Sequence, residues 1–277
     1  RRDFLINPHL HRQPVPLDPQ QHRQLKMAFP VTDWSVASRL NALFVAATEF
    51  SDVCKEFPIV FVRAGREADG RDQIAPIAVL GVTAEQNLYL TEPEAAGQPR
   101  TWRATYKPAV LQAYPFCIGR VDEQRFAICV DMSWPGANTE TGQPLFTAEG
   151  QPAELLSAMK QHLELLEGAI QSTRSFGQRL LELDLLRDMR FDATLPGGRQ
   201  HSVDGFLTVD QEKAQVLPDN VLGELHRNGM LGLIQLHWAS LPLMRRLMDW
   251  HIQRNGSQAA APAAAGTAAS VPSSAPA

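Results

Sequence analysis

The chain reads as an α+β protein, a mainly antiparallel sheet packed against long helices, and two changes of pattern predict it. Between residues 36 and 131, short apolar runs rich in β-branched and aromatic residues alternate with turns. From residue 152 to about 190 the apolar spacing changes to threes and fours, the period of a helix. Both patterns fall in one domain, residues 36–254. An extended N-terminal arm rich in Pro, Gln and His, residues 1–35, precedes it. An Ala/Ser/Pro tail, residues 255–277, follows and is expected to be disordered, having too little apolar surface to offset its ordering entropy.

Each element has a local reason. In "SVASRLNALFVAATEFSDVCKEF" a helix is expected to end before Pro58, because the residue ahead of a proline avoids the α region. Strands follow at 58–63, 76–82 and 87–90 ("PIVFVR", "PIAVLGV", "NLYL"). Two of these open on a proline, a strand position where the missing N–H costs no ladder bond. Trp102, Tyr106, Val110 and Tyr114 recur at four-residue spacing and read as one stripe of a helix, with Pro108 near its first turns. "FCIGRVDEQRFAICVD" reads as a hairpin. A loop of Asp122, Glu123 and Gln124 sets Cys117 opposite Cys129, as two small buried residues in the preferred reading and as a redox pair in the alternative.

Leu156, Met159, Leu163, Leu166, Ile170, Thr173, Phe176, Leu180, Leu183 and Leu186 then form an apolar stripe, as one long helix or as two joined near Ser172 to Gly177. Gly150 and Pro152 mark its start, and Glu154 suits the positive end of the helix dipole. After the turn "LPGGRQ", "GFLTVD" is a short strand, and one or two helices follow, stopped by Asn228 and Gly229. The last segment is split into a strand over 230–239 and a helix from about 241 to 254, with Ser240 as N-cap and Pro242 in the first turn. A single helix kinked at Pro242 is the alternative.

Composition excludes several function classes. The formal net charge is −4 and the pI about 6.1, with basic residues scattered among acids, which weighs against nucleic acid as a partner. The longest apolar stretch, "GMLGLIQLHWASLPLM", is broken by Gly, Gln, His and Pro, so no membrane span is expected. Three cysteines are too few for a disulfide framework, and "RRDFLINPHLHRQPVPL" has no apolar region behind its arginines. Together they predict a cytoplasmic protein. The chain carries no dinucleotide fingerprint, phosphate loop, HExxH, GxSxG or paired CxxC, so no cofactor is expected and the balance leans away from catalysis.

Two groups of residues are candidates for a site. Among the histidines, His9, His11 and His22 have no Cys or carboxylate at ligand spacing beyond Asp18, and they read as surface residues rather than a metal site. His237 reads as a half-buried core histidine. The alternative is an acid–base residue, which needs a carboxylate such as Asp131 or Asp210 brought to it by the fold. The second group is aromatic. "WRATYKPAVLQAYPFCIG" is core in the preferred reading; as a pocket, Trp102, Tyr106, Tyr114 and Phe116, with Trp238, would combine apolar area with polar handles for a ligand.

The blocks "VPLDPQQHRQLKM", "NALFVAATEFSDVCKEFPIVF", "APIAVLGVTAEQNLYL", "WRATYKPAVLQAYPF", "GQPLFTAEGQP" and "GMLGLIQLHWASL" run in order from about residue 15 to 250. In series they resemble the SapC family of bacterial proteins, which is distinct from the peptide-transport permease of the same name. His22, Glu49, Phe50, Pro58, Trp102, Tyr106, Pro108, Tyr114, Pro115, Phe116 and His237 fall on that pattern. The resemblance implies an S-layer-related protein. From the receptors and modifying enzymes encoded beside such proteins, it also implies a part in uptake or modification of a peptide or sugar-derived compound. It supplies no catalytic residues. The expected function is therefore a non-catalytic binding or accessory protein with a protein partner or a small-molecule or peptide ligand. An enzyme of unrecognised type using His237 or His22 is the alternative, and a structural role in a surface layer is the third.

Overall fold

The computed structural model describes residues 7–66, 70–93, 95, 97–120, 126–194 and 200–259. In chain order the strands are β1 (Pro14–Pro16), β2 (Lys26–Met27), β3 (Ala42–Phe44), β4 (Ile59–Arg66), β5 (Asp72–Val79), β6 (Phe116–Arg120), β7 (Phe126–Asp131), β8 (Ala137–Asn138), β9 (Gln143–Pro144), β10 (Leu186–Thr194) and β11 (Gln200–Val209). The helices are α1 (Phe50–Glu56), α2 (Ala109–Ala113), α3 (Glu154–Glu182), α4 (Gln211–Gln215), α5 (Asp219–Arg227), α6 (Met230–Ser240) and α7 (Leu243–Ala259). All described strand pairings are antiparallel. The α+β class predicted from the sequence is the class observed.

The strands form a five-stranded sheet in the order β10-β11-β4-β5-β3 and two three-stranded sheets, β1-β7-β6 and β8-β2-β9. The N-terminal arm thus supplies an edge strand to one small sheet and the centre of the other. Leu25 and Met27 from the arm are buried with Phe116, Val130, Leu145 and Leu163 in a second core beside the main one.

α3 is one 29-residue helix, and Leu163, Leu166, Ile170, Thr173, Phe176 and Leu180 on its predicted stripe are buried. It packs on β5, and its Phe176 meets Phe50 of α1 and Phe61 of β4 edge-on at ring separations of 6.2 and 6.0 Å. Gly177 permits this approach, because a Cβ there would stand 2.7 Å from the Ile74 carbonyl oxygen of β5. Replacing Gly177 with Val is expected to force helix and sheet apart and to cost about 2 kcal/mol, within the usual range for overpacking. Urea melts of the variant measure this, and an unchanged midpoint would mean that α3 slides at no cost.

Several expectations are overturned. Pro76 does not open its strand but stands inside β5, and Leu186 opens β10 instead of closing the helical stripe. Residues 230–239 form α6 and not a strand, and Pro242 lies between α6 and α7; the alternative reading of a helix interrupted at that proline is the nearer one. The segment carries apolar residues on all sides, so its side-chain pattern has neither a period of two nor of 3.6 to distinguish the two states. "NLYL" is not a strand, having only a single bridge from Leu90 to Trp102. Asn87 holds it instead: its side chain donates to the Ala37 carbonyl and accepts from the Tyr89 N–H. The stripe from Trp102 to Tyr114 is not one helix either. α2 is only five residues long, because Pro108 caps it at ψ 146° and Pro115 follows.

Cys117 and Cys129 do pair across β6 and β7, buried and free. The loop at 122–124, most of "LPGGRQ" and most of the Ala/Ser/Pro tail lie outside the described residues. α7 continues past Arg254 to Ala259.

Candidate functional site

The aromatic stretch becomes the wall of a cleft because two glutamates hold its backbone. Glu56, from the last turn of α1, accepts the Thr105 and Tyr106 N–H groups, one on each carboxylate oxygen, at 2.9 and 2.7 Å. Glu49, buried just ahead of α1, accepts the Ala109 N–H at 2.6 Å and the Tyr106 hydroxyl at 2.9 Å on one oxygen. Its other oxygen accepts the Ala46 N–H at 2.8 Å. Burial pushes the Glu49 carboxyl above its ordinary range, and these hydrogen bonds pull only part of the way back. Between the pinned residues stands Lys107, whose backbone is kept extended by the following proline.

The cleft encloses about 330 Å³ and has three walls. The arm contributes Phe29, Pro30, Val31 and Trp34; the pinned segment contributes Lys107, Leu111, Gln112 and Tyr114; α3 contributes Met159 and His162. Trp34 is buried as a floor, with ring centroids 6.5 Å from Trp102 and 6.4 Å from Tyr114. The Lys107 ammonium sits 6.0 Å from the Trp34 ring. The His162 Nε2–H donates to the Ala109 carbonyl at 3.1 Å, fixing the ring against the pinned wall and leaving Nδ1 as the other polar edge. The whole is an apolar hollow with a few polar groups at fixed places, the usual form of a small-molecule site.

Behind Tyr114 lies a polar cluster that ties the arm to β7. Asp131 is fully buried and accepts the Gln13 N–H at 2.9 Å, the Ser133 hydroxyl at 2.8 Å, the Ser133 N–H at 3.1 Å and the Tyr114 hydroxyl at 3.1 Å. Burial alone would raise its carboxyl, but the four donors together hold it below the ordinary range. Burial, followed by the charge of Asp131, pushes the Tyr114 hydroxyl far up, so it remains a donor.

His11 corrects an expectation, since it is not on the surface. It is 3% exposed with its ring 5.7 Å from Tyr114, because the turn from Asn7 folds it inward. Its Nδ1 accepts the Asn7 N–H at 3.1 Å, and Nε2 has no hydrogen-bond partner among the described residues. Burial depresses its pKa to about 4 despite the nearby Asp131.

Of the residues singled out in the sequence, Tyr114 alone lines the cleft. Trp102 stacks on Tyr89 and Phe57 at 5.8 and 6.1 Å and donates its indole N–H to the Tyr106 carbonyl at 3.0 Å. Tyr106 stands behind the wall on Glu49, Phe116 is buried in the second core, and the Trp238 indole donates to the Val209 carbonyl at 2.8 Å. His22 stays in the arm, where its Nδ1 accepts the Asp18 N–H at 3.0 Å.

His237 is fully buried and meets no carboxylate. Its Nδ1–H donates to the Ile59 carbonyl at 2.8 Å, while Nε2 accepts the Val209 N–H at 3.1 Å and the Thr208 hydroxyl at 2.9 Å. Asp210 instead caps α4 through the Glu212 and Lys213 N–H groups.

Trp34 and His162 belong to no motif; Lys107 and Gln112 stand inside the aromatic stretch and Met159 on the α3 stripe, where nothing marked them as site residues, and nothing in the sequence marked the role of Glu56. The available signals were the Lys-Pro pair that had to be extended and the i, i+3 placement of Met159 and His162 on α3.

No helix among the described residues is long and apolar enough to cross a membrane. No curated protein and no solved structure matches the chain. Residues 17–247 match the family model described as SapC, a span that takes in β2 of the arm, the pinned segment, the cleft lining and the final helices as far as the start of α7. On that match the chain belongs to the SapC family.

Proposed function

We propose that the protein is a non-catalytic binding or accessory protein that holds a small ligand, or one residue of a peptide, in the cleft between the arm, the pinned segment and α3. The observation that carries this reading is the way Glu49 and Glu56 direct their carboxylate oxygens to the backbone and hydroxyl of 105–109. A wall fixed in advance loses little freedom when a ligand arrives. Uptake or modification of a peptide or sugar-derived compound is the setting that the family resemblance implies, and an aromatic floor flanked by an ammonium, an amide and an imidazole suits such ligands. Direct chemistry has less support. His237 spends both ring nitrogens on the main chain and the Thr208 hydroxyl, and His22 spends Nδ1 inside its own turn.

A thermal-shift screen against aromatic carboxylates, short peptides and oligosaccharides tests the reading. A ligand at a hundred times its dissociation constant stabilises by about 2.7 kcal/mol, which for a chain of this size raises Tm by roughly 5 °C or more. Met159→Trp, which fills the cleft from its half-buried rim, is expected to abolish the shift without lowering the unliganded Tm. A shift that survives Met159→Trp would place the ligand elsewhere.

A further inference from the structure

The charge of the cleft says what its ligand carries. Lys107 is the charged residue of the lining, and no carboxylate stands among the lining residues. Its ammonium makes no ion pair with any described residue and lies over the face of Trp34. The nearest buried acids are already satisfied from within the protein. Glu49 is saturated by two backbone N–H groups and the Tyr106 hydroxyl, and Asp131 by Gln13, Ser133 and Tyr114. The backbone on either side of Lys107 is fixed at Tyr106 and Ala109, so the ammonium is carried on a held segment and not on a free loop.

We infer that the cleft takes an organic anion: a flat apolar body lies between Phe29, Met159 and the accessible edge of Trp34, and its carboxylate faces the Lys107 ammonium, with the Gln112 amide, which donates to the Lys107 carbonyl at 2.5 Å, at the same rim. The inference rests on the reading of the cleft as a binding site. A cation would be repelled by Lys107, and a neutral ligand would leave a partly desolvated ammonium without a partner. The volume of about 330 Å³, near the lower end for ligand pockets, fits a fused-ring or similarly compact body and excludes a long chain.

The test titrates the full chain with naphthylacetate, naphthylacetamide and naphthylethylamine, three ligands of one shape and three charges, followed by quenching of tryptophan fluorescence. The carboxylate is expected to bind about tenfold more tightly than the amide, the gain of one charge-assisted contact at a half-buried site, and the amine to bind most weakly. Lys107→Met is expected to bring the ratio of carboxylate to amide to about one, and Lys107→Arg to keep the preference. Equal binding of amide and carboxylate, or a preference that persists in Lys107→Met, overturns the inference and leaves the cleft as a site for uncharged ligands. Binding of none of the three overturns both the inference and the reading on which it rests.

Discussion

His237→Ala is expected to lose about 4 kcal/mol of folding stability, a large part of the 5–15 kcal/mol that holds a typical domain together. The reason lies at the seam of the large sheet. β11 and β4 share one register pair, Leu207 with Phe61, and beyond it α6 supplies what a neighbouring strand would. His237 donates to the Ile59 carbonyl and accepts the Val209 N–H. One turn later the Ser240 hydroxyl accepts the Ile59 N–H at 2.9 Å and donates to the His237 carbonyl at 2.6 Å. Removing the imidazole leaves a carbonyl, an N–H and the Thr208 hydroxyl unpaired in the interior, each costing roughly 1–3 kcal/mol, and opens a cavity beside Phe61. His237→Phe keeps the volume and is expected to be nearly as damaging. Urea melts of both variants check this. A phenylalanine variant as stable as the parent would mean that shape, and not hydrogen bonding, is what the site requires.

Acidification is expected to remove about 6 kcal/mol between pH 6.5 and about 4 through His11 and His237. Burial, the largest influence on both, depresses each folded-state pKa from 6.5 to about 4, so in this window the unfolded chain binds more protons than the folded one. Stability therefore rises with pH. Each histidine contributes fully above its unfolded value of 6.5, and the contribution is lost as pH falls through about 4. A shift of that size is worth about 3 kcal/mol per group. Glu49 works in the opposite direction, since its raised carboxyl is relieved by protonation. Asp131, held low by its donors, adds a further loss at still lower pH. Unfolding free energies measured by urea across this range give the slope. A flat profile down to about pH 4 would show that neither imidazole is shut away from protons in the folded state.

The sequence conveyed the class of fold more fully than the site, for reasons that particular residues illustrate. The α3 stripe was legible because a long helix with one buried face repeats its signal many times. The hairpin placed Cys117 against Cys129 because alternation and a turn fix register together, and the hydrogen bond shared with Cys129, followed by burial, pushes the Cys117 thiol up. α6 carries no clear period because its buried face holds the polar His237 and Ser240 beside Ile234, while its half-exposed faces carry Leu231, Leu233 and Leu236. The spacing of Trp102 and Tyr106 suits a helix, but the bridge from Trp102 to Leu90, Pro108 and the hydrogen bonds from Thr105, Tyr106 and Ala109 to Glu56 and Glu49 keep them out of one. His11 was read as exposed from the polar composition of the arm, but burial follows where the turn from Asn7 sends the ring. The cleft itself joins residues near 30, near 110 and near 160, and no local pattern announces such a meeting.

Heteronuclear NMR of the indole N–H groups tests the central claim most directly, since the chain has five tryptophans at separate places in the fold. On titration with naphthylacetate, the Trp34 resonance is expected to shift first and furthest, with Trp102 and Trp134, which adjoin Trp34 and Tyr114, following weakly. Trp238, bonded to Val209, and Trp250, packed on Tyr89, are expected to stay in place. Movement of Trp238 or Trp250 with Trp34 unmoved would place the ligand away from the cleft and contradict the account.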